Sequence, residues 1–256
     1  MKQTTSIRNS VLLAAIFGLG LGSGVASAAV ITQVTNLGAI QTTSGLTGFT
    51  TTGANMDGML ITATYFNGSA LQTLSGNWSD IGASSGGVTL ASQPGGGDGN
   101  DFTLKLFGDS FNNAWNLNFD VAGRGSLRSL LFDGVPGNTV FDICGNNNQW
   151  CGGNTGTPGS ANGLNFSGFS NTNIAITATY FDALAIGNAS PVGDVFTKFK
   201  LDFGGNGLAQ NAYQFNLDTD NAKTTIVPAV PEPASMSLLG LGLAGLGALR
   251  RRKQSV

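Results

Sequence analysis

The side chains that carry most enzymatic proton transfer are nearly missing from this chain. Its 256 residues contain no His and a single Glu, Glu232, so the acids between the two ends are thirteen Asp. Without His, the usual general base near neutral pH and the commonest transition-metal ligand are both absent. Two Cys cannot complete a four-ligand zinc site on their own. Glycan hydrolysis needs two carboxyls about 5 to 10 Å apart, one with a raised pKa, and most of the Asp residues stand beside Gly or Asn where strands end. No nucleophile elbow, Ser/His/Asp arrangement or phosphate loop occurs. The expectation is a protein that is not an enzyme, with a secreted hydrolase as the third-ranked reading.

Three further groups could bind or cross-link. Cys144 and Cys151 enclose Gly145-Asn146-Asn147-Asn148-Gln149-Trp150. In an exported chain this spacing predicts a disulfide that clips a loop, with a chain-entropy gain of about 2.5 kcal/mol. Trp150, set among polar amides, would stack on a sugar face if exposed, and Trp78 in Asn77-Trp78-Ser79-Asp80 would do the same; the alternative for Trp150 is covering a core edge, ordinary packing with its N–H satisfied locally. Gly96-Gly97-Asp98-Gly99-Asn100-Asp101 spells half of a calcium-binding nonapeptide, but such sites form between stacked repeats and Thr103 replaces the aliphatic residue that should follow. Asp218 and Asp220 offer hard oxygen ligands as well. No cofactor is expected, and calcium at Asp98, Asp101, Asp218 or Asp220 is the weak candidate; the ordinary reading of these segments is turns.

The elements that must position these groups read as strands. Between Gly/Asn/Asp-rich turns, period-two alternation recurs, and nothing sustains a helical apolar period with caps. Trp115, Leu117 and Phe119 share one side of a run from Ala114 to Asp120. Phe102-Leu104-Leu106 and Tyr213-Phe215-Leu217 alternate likewise, as does Val195 to Phe203 with Lys198, Lys200 and Asp202 outward. On the order of ten to thirteen strands are expected, hence an all-β body built as an antiparallel β-sandwich or jelly roll. Trp115 is placed in its core. Ile61-Thr62-Ala63-Thr64-Tyr65-Phe66 recurs as Ile176-Thr177-Ala178-Thr179-Tyr180-Phe181, a spacing too long for a solenoid, so the pair is read as two equivalent strands of one sandwich.

Both ends read as addresses. Lys2 and Arg8, an apolar run from Val11 to Leu21 and the triplet Ala26-Ser27-Ala28 form a secretory signal helix with cleavage after Ala28 by signal peptidase. At the other end, Ala234 to Leu249 is a short apolar helix, close to the length of a transmembrane span, stopped by Arg250, Arg251, Arg252 and Lys253. Such a basic stop holds the C-terminus inside and gives the body a transient inner-membrane contact before release. The expected division is signal peptide 1–28, β-sandwich body 29–228 and sorting or anchor segment 229–256. Removing both ends leaves six basic residues against thirteen Asp over 29–230, a net charge of −7 hidden within the whole-chain value of −2. A body so charged lacks the positive field that nucleic acid requires.

Val230-Pro231-Glu232-Pro233, the Gly/Leu-rich helix after it and the terminal Arg cluster resemble the PEP-CTERM sorting signal of Gram-negative surface proteins. Physically, two prolines flanking Glu232 hold the backbone extended, the shape a peptidase cleft accepts. The resemblance implies recognition by exosortase, a membrane-embedded Cys transpeptidase that cuts near Pro231, Glu232 and Pro233. It implies passage through the inner membrane and periplasm to the cell surface or extracellular space. It also implies an exopolysaccharide or biofilm setting. The expected function is therefore a structural surface or matrix protein associated with exopolysaccharide, and the alternative is a carbohydrate-binding, lectin-like module.

Overall fold

A computed structural model describes residues 11–12, 29–47, 50–90, 102–119, 125–143, 163–187, 189–191 and 193–229. The expected signal helix, apart from Val11–Leu12, and the expected C-terminal helix lie outside them. Among the described residues no helix is long and apolar enough to cross a membrane.

The described chain is all-β. Its strands are β1 (Val11–Leu12), β2 (Val30–Asn36), β3 (Gln41–Thr43), β4 (Leu60–Phe66), β5 (Leu71–Asn77), β6 (Ser79–Gly82), β7 (Ser85–Leu90) and β8 (Phe102–Phe107). They continue with β9 (Trp115–Phe119), β10 (Ser126–Asp133), β11 (Thr139–Asp142), β12 (Ala175–Ile186), β13 (Val195–Phe203), β14 (Asn211–Phe215), β15 (Thr219–Asn221) and β16 (Val227–Pro228). One curled sheet follows the order β1-β2-β12-β13-β10-β4-β5, with β11, β15, β3 and β16 attached along β13 and β12. The second sheet is β14-β9-β8-β7-β6.

Alternation explains why the two sheets meet. Trp115, Leu117 and Phe119 of β9 and Phe102, Leu104 and Leu106 of β8 are buried, while Asn118 and Lys105 between them are exposed. In the first sheet Phe132 of β10 and Phe199 of β13 point to the same interior. The rings close across the gap: Trp115 lies 5.7 Å from Phe132 edge-on and 6.0 Å from Phe215 stacked, and Phe132 lies 5.5 Å from Phe199. Offset and edge-on pairs of this kind add about 0.5 to 1.5 kcal/mol each beyond the area they bury. The Trp115 indole N–H is satisfied by the Leu217 carbonyl at 2.8 Å.

One expectation needs correction. The first sheet is mixed, because β12 runs parallel to β2 and to β3. Parallel neighbours require a long crossover, and the chain between β3 and β12 supplies it. β12 serves both partners in turn. Asp182, with φ at +60°, breaks its ladder, and its carboxylate accepts from Ala39 N–H at 2.9 Å where the chain turns from β2 to β3.

The repeated hexapeptides occupy β4 and β12, which flank the central antiparallel pair β10 and β13. Ala63, Leu130, Leu201 and Ala178 fall in a single cross-strand row. The second and fourth residues of the two copies are exchanged about that row, Thr62 lying level with Thr179 and Thr64 with Thr177. The two copies are thus related by a local two-fold axis normal to the sheet, and both present threonines on its outer side.

Candidate functional site

Several expected site residues lie outside the described residues: Ala26, Ala28, Asp98, Asp101, Cys144, Trp150, Cys151, Pro231, Glu232, Pro233, Arg250, Arg251, Arg252 and Lys253. Three others are placed.

The sugar-platform reading of Trp78 is corrected. Its ring is fully buried, 5.2 Å from that of Trp115, and its N–H donates to the Gly53 carbonyl at 2.7 Å. Two glycines make this seat, since a Cβ on Gly86 would collide with the indole nitrogen and the Gly53 carbonyl. A ring closed off in this way cannot stack on a sugar.

Asp218 immediately precedes β15 and Asp220 is its middle residue, and both are buried, so the turn reading is corrected for Thr219–Asn221, which forms a strand. The Asp218 carboxylate accepts from Thr219 N–H at 2.9 Å and from the Ser110 hydroxyl at 3.2 Å. Burial pushes its pKa well above the ordinary Asp value and the nearby Asp220 charge adds to this, while the bonds from Ser110 and Thr219 oppose it. Asp220 is pushed up to about 7 by burial, partly offset by a hydrogen bond with the Asp142 side chain. One of two carboxyls that share a hydrogen bond must hold a proton, so this contact itself calls for an acid that stays protonated near neutrality. Tyr180, fully buried in the core, has its phenol pushed up chiefly by burial and also by Asp218 and Asp142. Acids with raised pKa are the material of general acid catalysis, but these carboxyls are only 0 to 3% exposed. Among the described residues no group of three His, Cys, Asp or Glu is arranged to hold a metal ion.

The open site is on the other sheet. The outward positions of β8, β9 and β14 form a cleft of about 410 Å³ whose polar lining is Thr103, Lys105, Asn116, Asn118, Ser170, Asn171 and Gln214. Register brings Lys105, Asn116 and Gln214 into one row and Thr103 and Asn118 into the next. Gln214 Nε2 donates to Asn116 Oδ1 at 2.9 Å, which aligns the two amides. The wall is built by the segment beside β14: Gln214 N–H donates to the Ser170 hydroxyl at 2.8 Å, and Asn171 Nδ2 donates to the Ala212 carbonyl at 2.8 Å. Among the described residues no carboxylate lines the cleft and Lys105 is its one charge, and the Tyr213 ring beneath it is turned inward and buried. Such a surface offers paired donors and acceptors to a hydroxyl-rich ligand without a stacking ring. The outward polar side of β9 is visible in the sequence, but its pairing with β14 joins residues about a hundred positions apart and leaves no local signal.

The junction to the sorting segment is fixed to the first sheet. β16 pairs with β3, and Ala229 N–H donates to the Ile40 carbonyl at 2.9 Å. Nearby, the Thr43 hydroxyl donates to the Thr224 carbonyl at 2.9 Å and Ile226 N–H to Asn138 Oδ1 at 3.2 Å. Directly at this anchored exit, residues 229–253 match the PEP-CTERM protein-sorting motif. The chain is a PEP-CTERM sorting domain-containing protein. A PEP-CTERM segment makes it an exported protein, processed by exosortase and delivered finally to the cell surface. No curated protein and no solved structure is significantly similar to this PEP-CTERM chain.

Proposed function

We propose that the protein is a non-catalytic component of the extracellular matrix, which contacts exopolysaccharide through the amide-lined cleft. Signal peptidase removes residues 1–28, the apolar segment 234–249 holds the body at the inner membrane, and exosortase cuts near Pro231, Glu232 and Pro233. The observation that carries the ligand assignment is the composition of the cleft: amides, hydroxyls and Lys105, with no carboxylate among the described residues, on a body whose net charge is −7. The paired amides and hydroxyls of the described lining offer donors and acceptors to sugar hydroxyls, and Lys105 offers a cation to acidic sugars. Enclosure of Asp142, Asp218 and Asp220 supports the non-catalytic reading, because a catalytic carboxyl must reach the substrate.

The test is binding of the processed protein to surface polysaccharide from the producing cells, followed by calorimetry. Asn116→Ala combined with Gln214→Ala should weaken binding at least ten-fold, as expected when about 1.4 kcal/mol or more of paired hydrogen bonding is lost. No binding by the native protein, or binding unchanged by the double substitution, rejects the cleft. Turnover of the polysaccharide that disappears on Asp220→Asn would establish the hydrolase instead.

A further inference from the structure

We propose that removal of the leader opens the outer edge of β2 and that this edge then pairs, antiparallel and two-fold, with β2 of a second copy. The inference rests on the reading that residues 1–28 are cleaved. In the full chain the middle of that edge pairs antiparallel with the leader's own strand, β1, in the register Val11 to Val34 and Leu12 to Gln33. The edge therefore accepts an antiparallel strand, and cleavage after Ala28 takes the cover away.

β2 remains in place without it. Seven consecutive residues pair with β12 on the inner side. The Gln33 side chain also ties the strand inward, donating to Asn165 Oδ1 at 3.0 Å and accepting Phe166 N–H at 3.0 Å. Ile31 packs against the core. The Val30 N–H bonds to the Ile174 carbonyl on the β12 side at 3.2 Å. Backbone direction alternates along a strand, so Ile31, Gln33 and Thr35 aim their N–H and C=O groups at the opened edge.

Natural sheets guard such edges with charge, Pro or a bulge. β2, Val-Ile-Thr-Gln-Val-Thr-Asn, has neither charge nor Pro. The strand is also complementary to itself. Val30 at its start and Leu37 just past its end are 51% and 53% exposed, and a two-fold axis through Gln33 places each near the other's counterpart. The same axis pairs Ile31 with the second copy's Thr35 and Gln33 with its own equivalent, all three being outward-directed positions. No like charges are opposed, and the two exposed apolar ends are covered together. One strand pair is a small interface, so affinity in roughly the micromolar range is expected.

The test uses protein recovered after export, with its N-terminus fixed by intact mass and its oligomeric state measured by light scattering over a concentration series. The expected result is a chain beginning at Ala29 in a monomer–dimer equilibrium. Thr35→Pro removes an outward N–H, and Val34→Lys places a charge on the strand; each should raise the dimer dissociation constant at least about ten-fold while leaving the circular dichroism and melt unchanged. Val34→Lys keeps the test decisive if Thr35→Pro fails to fold. A cleaved chain that stays monomeric overturns the proposal, as does a dimer insensitive to Val34→Lys. Open-ended oligomers would mean pairing of β2 with β5, the opposite sheet edge, and overturn it too. A chain that keeps its leader overturns it through the cleavage reading, and the intact mass identifies that case.

Discussion

Two buried aspartates make the stability of this body depend on pH in the opposite sense to a salt-bridged carboxylate. Burial pushes Asp220 up to about 7 and raises Asp218 as well, against an ordinary value of 3.8. Between those limits the folded state holds protons that the unfolded chain has released. The stabilisation is complete below the ordinary Asp value and is lost as pH rises through about 7. From pH 5 to pH 8 the loss from Asp220 is about 2 to 3 kcal/mol, which lowers the melting temperature by roughly 5 to 10 °C for a body of this size. Thermal melts across this range check it, and Asp220→Asn should flatten the slope; melting that is constant or rises toward pH 8 contradicts it. In sequence, Asp218 and Asp220 stand out as carboxylates two apart. Their burial and the contact with Asp142 depend on β15 pairing with β11, which the sequence does not announce.

At the scale of elements, strands with strict alternation are legible and those held by context are not. Val195 to Phe203 is found with the bounds its pattern predicts, because Lys198, Lys200 and Asp202 alternate with Phe199, Leu201 and Phe203 after the apolar start Val195-Phe196. β3, β6, β15 and β16 are two to four residues long, too short for a period to appear. The β6–β7 hairpin is hidden for another reason. Its two-residue loop is Ala83-Ser84, both left-handed with φ at +50° and +62°, where Asn-Gly would be the usual signal. Strain at those positions is removable. Ala83→Asn with Ser84→Gly should stabilise the body by about 1 to 2 kcal/mol, seen as a melting temperature raised by roughly 3 to 6 °C. A lowered melting temperature would show that the loop is not held in this conformation. The cleft escaped detection because its rows combine β8, β9 and β14, and only strand order makes Asn116 and Gln214 neighbours.

Considered as a whole molecule, the chain joins a C-terminal sorting segment processed by exosortase to an exported body. The basic residues concentrate at the ends, while the body carries thirteen Asp, its aromatic core and a cleft lined by amides, hydroxyls and Lys105. Sorting was legible because the signal is a linear motif, complete within the last residues of the chain and independent of the fold. The cleft was not, because it depends on which strands become neighbours. β16, hydrogen-bonded to β3 up to Ala229, delivers the Pro-Glu-Pro segment directly from the folded surface. Cutting there leaves the last strand of the body intact. The intact mass of the protein recovered from the cell surface tests this most directly. The predicted mass corresponds to a chain that starts at Ala29 and ends near Pro231 to Pro233, carrying any group added by transfer, whereas replacing Pro231, Glu232 and Pro233 by Ala leaves an uncut, membrane-held chain ending at Val256. Surface protein that retains residues 234–256, or normal release of the substituted chain, would contradict it.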